Sequence, residues 1–337
     1  TSVSPGGWIT RLDALATDAA IPNRPTISFA GIPGFPINGL AFASSAFSDP
    51  QGSNTFAAIQ WRVAEVRDTN VPPADPRVVP PLEWDAVWDS GELPTFTGTI
   101  NVPGAGNLAF SNGPLITNAG TFDFKSDADF LALDTVGATW LNTGTLRKTS
   151  GTEVTVIGDG GAFLTFNHSG LLEATSGTLE LRGLGGTFSA GASLRPDTGA
   201  TLAFASGLYT FTGSPVINKP GTLHFSGATI NITTALFDPA PQTQIILSSG
   251  AITGAGDLNI NGSFTFSGGQ MSGSGKTMVT PGGTLLFTGP NPKLLDGRYL
   301  VNSSTVTVSS DVALANSAQI DNTGTLDFHA DANLIAQ

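Results

Sequence analysis

From about residue 98 onward, apolar side chains fall on every second position in short runs, and most runs follow a glycine. Thr178-Leu-Glu-Leu181, Thr222-Leu-His-Phe225, Thr284-Leu-Leu-Phe287 and Thr325-Leu-Asp-Phe328 share this form. A period of two predicts strands with one buried face. The glycines that open the runs recur with a longer period: Gly120, Gly144 and Gly170 lie 24 and 26 residues apart, and Gly177, Gly199 and Gly221 lie 22 apart. One such strand buries too little to stand alone. Stacking coil on coil at the strand spacing of about 4.8 Å pairs every backbone group and joins the apolar positions into one core. The pattern therefore predicts an all-β fold, a parallel β-helix (β-solenoid) of roughly ten coils over residues 98–337. Leu179 and Leu181 are expected inward and Glu180 outward. Glycine at each turn is expected to supply positive φ, and the neighbouring asparagines to stack into ladders between coils.

The longest repeat is Asn118-Ala-Gly-Thr-Phe-Asp-Phe-Lys-Ser-Asp-Ala-Asp-Phe130, which returns as Asn322-Thr-Gly-Thr-Leu-Asp-Phe-His-Ala-Asp-Ala-Asn-Leu334. Its acids Asp123, Asp127, Asp129 and Asp134 return as Asp327, Asp331 and Asn333, so they read as a turn feature rather than a catalytic cluster. Calcium is the one cofactor the Asp-Ala-Asp turn suggests, but the turn lacks the glycine and ligand count of a dedicated loop, and no cofactor is expected. The second copy runs out at Ile335-Ala-Gln337 with no polar cap. Asp331, Asn333, Leu334 and Ile335 are therefore the candidate assembly surface, covered by more chain or by a second copy stacked head to tail.

Residues 1–97 read differently. Residues 1–25 form an extension with one candidate helix at 8–20. Residues 26–97 form a β module with candidate strands at 26–29, 40–44, 56–66 and 84–88, punctuated by proline clusters. Trp84 and Trp88 share a strand face and are the candidates for carbohydrate stacking, although tryptophan within sandwich strands usually serves the core.

Composition narrows the function. Of 337 residues, 40% are hydrophobic and only 12% charged, with 42 Gly and 22 Pro, which suits a turn-rich β fold. The net charge of −12 with 14 scattered basic residues argues against nucleic acid and anionic membrane surfaces. No run of 18 apolar residues is present to span a bilayer. Cysteine is absent, which removes disulfides and thiolate chemistry and, in an exported chain, points to a bacterial source. His168, His224 and His329 fall at unlike positions, each expected outward, and make no metal triad. Thr-x-Thr pairs at 95, 210 and 305 recur too irregularly to predict a flat threonine array. No catalytic or metal residue is assigned.

Two stretches carry a resemblance. Phe47-Ser-Asp-Pro-Gln-Gly52, Ile59-Gln-Trp-Arg-Val63 and Trp84-Asp-Ala-Val-Trp-Asp-Ser-Gly-Glu92 resemble the first half of the fibronectin type III-like sandwiches of large exported bacterial proteins. Thr143-Gly-Thr-Leu-Arg-Lys-Thr149, Ser169 to Leu181, and Val312 to Leu326 resemble the β-solenoid repeats of bacterial surface proteins of the filamentous haemagglutinin and autotransporter-adhesin type. The resemblance implies a secreted or cell-surface protein that serves as a stalk, matrix or attachment fibre. A structural or adhesive protein without catalysis is the expectation, with itself as partner and surface polysaccharide as a second. A carbohydrate-active β-helix enzyme or a carbohydrate-binding module is the alternative.

Overall fold

The computed structural model describes residues 95–337, apart from 105, 111–112, 133–135, 159–162, 234–235 and 330, and the strand backbones Ile27–Phe29, Phe42–Ser44 and Ala86–Trp88. The chain divides into Thr1–Leu82 and Glu83–Gln337. In the first unit, Ile27–Phe29 pairs antiparallel with Phe42–Ser44, where strands were expected. The candidate helix at 8–20, the candidate strand at 56–66 and most of the fibronectin-like segment lie outside the described residues, as do Trp84 and the side chain of Trp88.

The second unit is a parallel β-solenoid. Its first coil consists of Thr99–Val102, Leu108–Phe110 and Leu115–Asn118, one strand on each of three faces. The second face is a twelve-stranded sheet that begins at Ala86–Trp88 and the third an eleven-stranded sheet, while the first face is divided into six strands and five. Register partners in adjacent coils are separated by 19 residues (Ile246 with Thr265) to 27 (Phe130 with Ile157). Eleven coils at about 4.8 Å each make a stack roughly 50 Å long.

Alternation decides what is inside. In Thr178–Leu181, Leu179 and Leu181 are buried and Glu180 faces outward, only partly covered, as the sequence pattern requires. Inward positions align from coil to coil, so that Phe204 and Phe225, in register on the second face, are buried with ring centroids 5.7 Å apart, and Phe188 meets Phe204 across the core from the third face at the same distance. Trp140 packs among Phe122, Phe130 and Phe166 near the start of the stack. Burial of a large apolar side chain stabilises by about 1.5–3 kcal/mol, and here each one seals its neighbours above and below as well.

The glycine expectation needs correction at the Asn-x-Gly-Thr corners. Gly177 and Gly199 do adopt positive φ, but Gly120, Gly144, Gly170 and Gly324 do not. They are glycine for space: a Cβ on Gly120, Gly144 or Gly170 would overlap the carbonyl oxygen of Gly98, Gly120 or Gly144 in the coil before. The long repeat also holds a surprise. Thr121–Phe124 lies on the first face, whereas its twin Thr325–Phe328 lies on the second. The repeating unit is thus one corner plus one strand, and the same text serves at different corners of the coil.

Candidate functional site

The duplicated acids are held by protein partners. Asp123 Oδ2 accepts from Arg147 at 2.9 Å and its Oδ1 from Thr149 at 2.6 Å. Asp127 Oδ1 accepts from Lys148 Nζ at 2.6 Å and from the Glu153 amide at 3.1 Å. The Lys148 hydrogen bond holds the Asp127 carboxyl below the usual carboxylate range. Asp129 Oδ1 accepts the Val156 amide at 2.7 Å. These carboxylates tie one coil to the next. Asp134 lies outside the described residues. Among the described residues, no three acids or histidines converge to hold a metal ion.

Buried cations fix other corners. The Lys148 side chain is fully buried, as its inward parity beside Leu146 demands, and its ammonium donates to Ser126 O, Asp127 and Thr155. Arg298, 1% exposed, reaches from its own corner to the two corners before it. It donates to Thr277 Oγ1 at 2.8 Å, Lys276 O at 3.0 Å, Ser272 O at 3.1 Å and Gly256 O at 3.3 Å. Burial pushes its pKa down to about 10.

His168 departs from its expected outward position. It is 1% exposed, its ring stacks on Phe166, and its Nδ1 is 2.9 Å from Asn142 Nδ2. His224 does face outward, half-buried, with Nε2 2.7 Å from Ser248 Oγ, and His329 is exposed beside Asp327. The second face also aligns threonines that the Thr-x-Thr pairs did not reveal. Thr178, Thr201 and Thr222 form one outward column, which Gln244 and Ser263 interrupt before Thr284, Thr305 and Thr325 continue it. The signal was the Gly-Thr corner itself.

The last described coil, Gln319–Asn322, Thr325–Phe328 and Leu334–Ala336, carries the candidate assembly surface. Asp331 and Asn333 are exposed, and Asn333 ties back to the coil before, its amide donating to Asp311 Oδ1 at 2.9 Å. Leu334 is half-buried against the core, whereas Ile335 points outward and is 43% exposed. The open face also includes Ile320, Asn322, Leu326 and Phe328, which the sequence reading did not single out. Val306 and Val308 are fully buried beneath this coil, while Phe328, in register with Val308, is 45% exposed. In a parallel ladder the N–H and C=O of one residue point to the same neighbour. Thr325 and His329 donate to Ser304 and Val308, so the N–H and C=O groups of Leu326 and Phe328 point the other way, onto the open face.

The asparagines show the same open position. Asn302 Nδ2 donates to Asn322 Oδ1 at 2.6 Å and to Thr325 O at 2.8 Å in the next coil. Asn322 Nδ2 instead turns back to Gly324 O at 3.3 Å within its own coil. The arrangement offers backbone groups, an amide rung and apolar side chains to one more parallel coil.

Neither a protein-family model, nor a curated protein, nor a solved structure matches the chain.

Proposed function

We propose that this chain is an extracellular structural protein of a bacterial surface, adhesive or fibre-forming, whose solenoid adds coil to coil and joins head to tail with a second copy. The observation that carries the reading is the parallel second face, which runs from Ala86–Trp88 to Thr325–Phe328, so that the outward-turned backbone groups of Leu326 and Phe328 match any further parallel coil, of continuing chain or of a second copy. An unpaired strand edge with adjoining apolar side chains recruits another strand unless charge or proline blocks it. Thr325-Leu-Asp-Phe328 contains no proline, and its single acid, Asp327, points outward and meets His329. In this reading the outer columns serve as the exposed wall of a spacer, and no residue has a catalytic part. Localisation at the cell surface rests on the resemblance of the repeats and on the absence of cysteine.

Sedimentation velocity of the full chain over a wide range of concentration tests the proposal. The wild type is expected to form a concentration-dependent series of oligomers and the Phe328→Asp variant to stay at the smallest species. A wild type that sediments as a single monomer at every concentration contradicts it.

A further inference from the structure

Charge is spread unevenly over the outside of the stack. On the first face Asp123, Arg147, Glu173 and Arg195 stand in one outward column, and the second face carries Glu180 and Asp327. The third face differs. Its eleven strands run without a break, and from Leu115 to Leu294 none of their outward positions bears a charged side chain. Asp296 is the one acid among these strands, and its Oδ2 accepts from Gln270 Nε2 at 2.9 Å. Exposed Leu115, Leu141, Leu208 and Ile335 stand there instead, among threonines. The aromatic side chains of the same strands, such as Trp140, Phe166 and Tyr209, turn inward.

Two quantities say what such a face can meet. The chain carries a net charge of −12, so two copies repel wherever acids face acids. On the third face they can approach without that cost, whereas a partner recognised by opposite charge finds nothing to pair with. Depletion of charge is also what distinguishes the core of an interface from the rest of a surface. The second quantity is area. Eleven strands at about 4.8 Å and four residues at about 3.3 Å give a footprint of roughly 650 Å² on each copy. Two footprints bury about 1,300 Å², inside the range of about 1,200–2,000 Å² found for stable interfaces.

We propose that the third face docks laterally on the third face of a second copy, the two stacks lying side by side in opposite directions. A two-fold axis along the central strand, Thr229–Ile232, overlaps all eleven strands. It sets Leu208 of one copy over Ala251 of the other, Leu115 over Ile335, and Asp296 over Asn167. Large side chains then meet small or apolar ones, and the acid meets an amide. Thr229 meets itself. A sugar surface is the poorer fit, because no aromatic side chain stands outward on these strands to lie against a sugar ring. The lateral contact leaves Leu326 and Phe328 free, so it is independent of end-to-end addition.

Sedimentation equilibrium of the full chain carrying Phe328→Asp, which blocks end-to-end addition, tests the proposal. This chain is expected to sediment at twice the mass of one copy. Adding Thr229→Glu places like charges together on the axis and should raise the dissociation constant at least tenfold, as should Thr229→Lys. An equimolar mixture of the Glu and Lys variants should pair again, which misfolded chains cannot do. Thr284→Glu, outward on the second face, is the unchanged control. A Phe328→Asp chain that stays monomeric at every concentration overturns the proposal, whether or not it sediments with microcrystalline cellulose. So does a pair indifferent to Thr229→Glu, or a mixture that does not restore it. A wild type that stops at this pair sinks the end-to-end reading and leaves the lateral one standing.

Discussion

Asn118 Nδ2 donates to Asn142 Oδ1 at 2.7 Å in the next coil, and Asn142 Nδ2 meets His168 Nδ1 at 2.9 Å in the coil after that. The third rung of this buried amide ladder is an imidazole, and the first prediction follows from its titration. His168 Nδ1 accepts from the amide, so the neutral tautomer is the one that fits. Phe166, Phe188, Asn142 and the Ser193 backbone surround the ring, with no charged side chain contributing, and burial lowers its pKa from 6.5 to about 4.

Between pH 6.5 and about 4 the unfolded chain therefore takes up a proton that the folded chain refuses. Stability is highest above this window and falls as pH drops through it, by about 3 kcal/mol at 1.36 kcal/mol per pH unit. Loss of the Asp127 ion pair adds to the fall at lower pH, since that carboxyl is held below its ordinary value. His168→Asn continues the amide ladder without a titrating group. Urea unfolding at pH 7 and pH 4.5 should show a smaller pH-dependent loss in this variant than in the wild type. Equal losses would contradict the buried neutral imidazole.

Gly144→Ala tests the corner packing. A Cβ here has to displace the Gly120 carbonyl of the coil before, although φ is not positive. Forcing atoms into a filled site costs about 1–3 kcal/mol. The same change at Gly199, where φ is positive but nothing lies near the Cβ, separates strain from overlap. Thermal melts should show both variants destabilised, with Gly144→Ala also perturbing the neighbouring coil in amide exchange.

Arg298 offers a third test. Arg298→Met keeps the bulk of the stem but leaves several carbonyls of two corners without donors. An orphaned buried polar group costs about 1–3 kcal/mol, so a loss of about 3 kcal/mol or more is expected in urea unfolding. Arg298→Lys should recover only part of it, because an ammonium cannot reproduce the planar fork. Full recovery by lysine would show that charge, rather than the fork, holds the corners.

How much of this was legible in the chain depended on locality. The strands and their inward faces were readable because Leu179, Leu181 and their counterparts follow a strict period of two, which adjacent residues alone determine. The coil was readable from glycine spacing. The role of those glycines was not, because the carbonyl that excludes a Cβ at Gly144 belongs to a residue 24 positions earlier. The inward turn of His168 and the threonine column depend on register between coils, which a single strand does not disclose. The break in the first face between Val216–Ile217 and Leu236–Phe237 was invisible for a related reason: register fails there, beside Pro215 and Pro239, and no repeat points to a break in the repeat.

Amide exchange at Leu326 and Phe328 as a function of protein concentration tests the central claim most directly. If the last described coil receives the leading edge of a second copy, which on the second face is Ala86–Trp88, these two amides pass from rapid exchange in dilute solution to strong protection when the chain is concentrated, while the Leu285 and Phe287 amides stay protected throughout. Exchange at Leu326 and Phe328 that remains rapid at every concentration contradicts head-to-tail addition of coils.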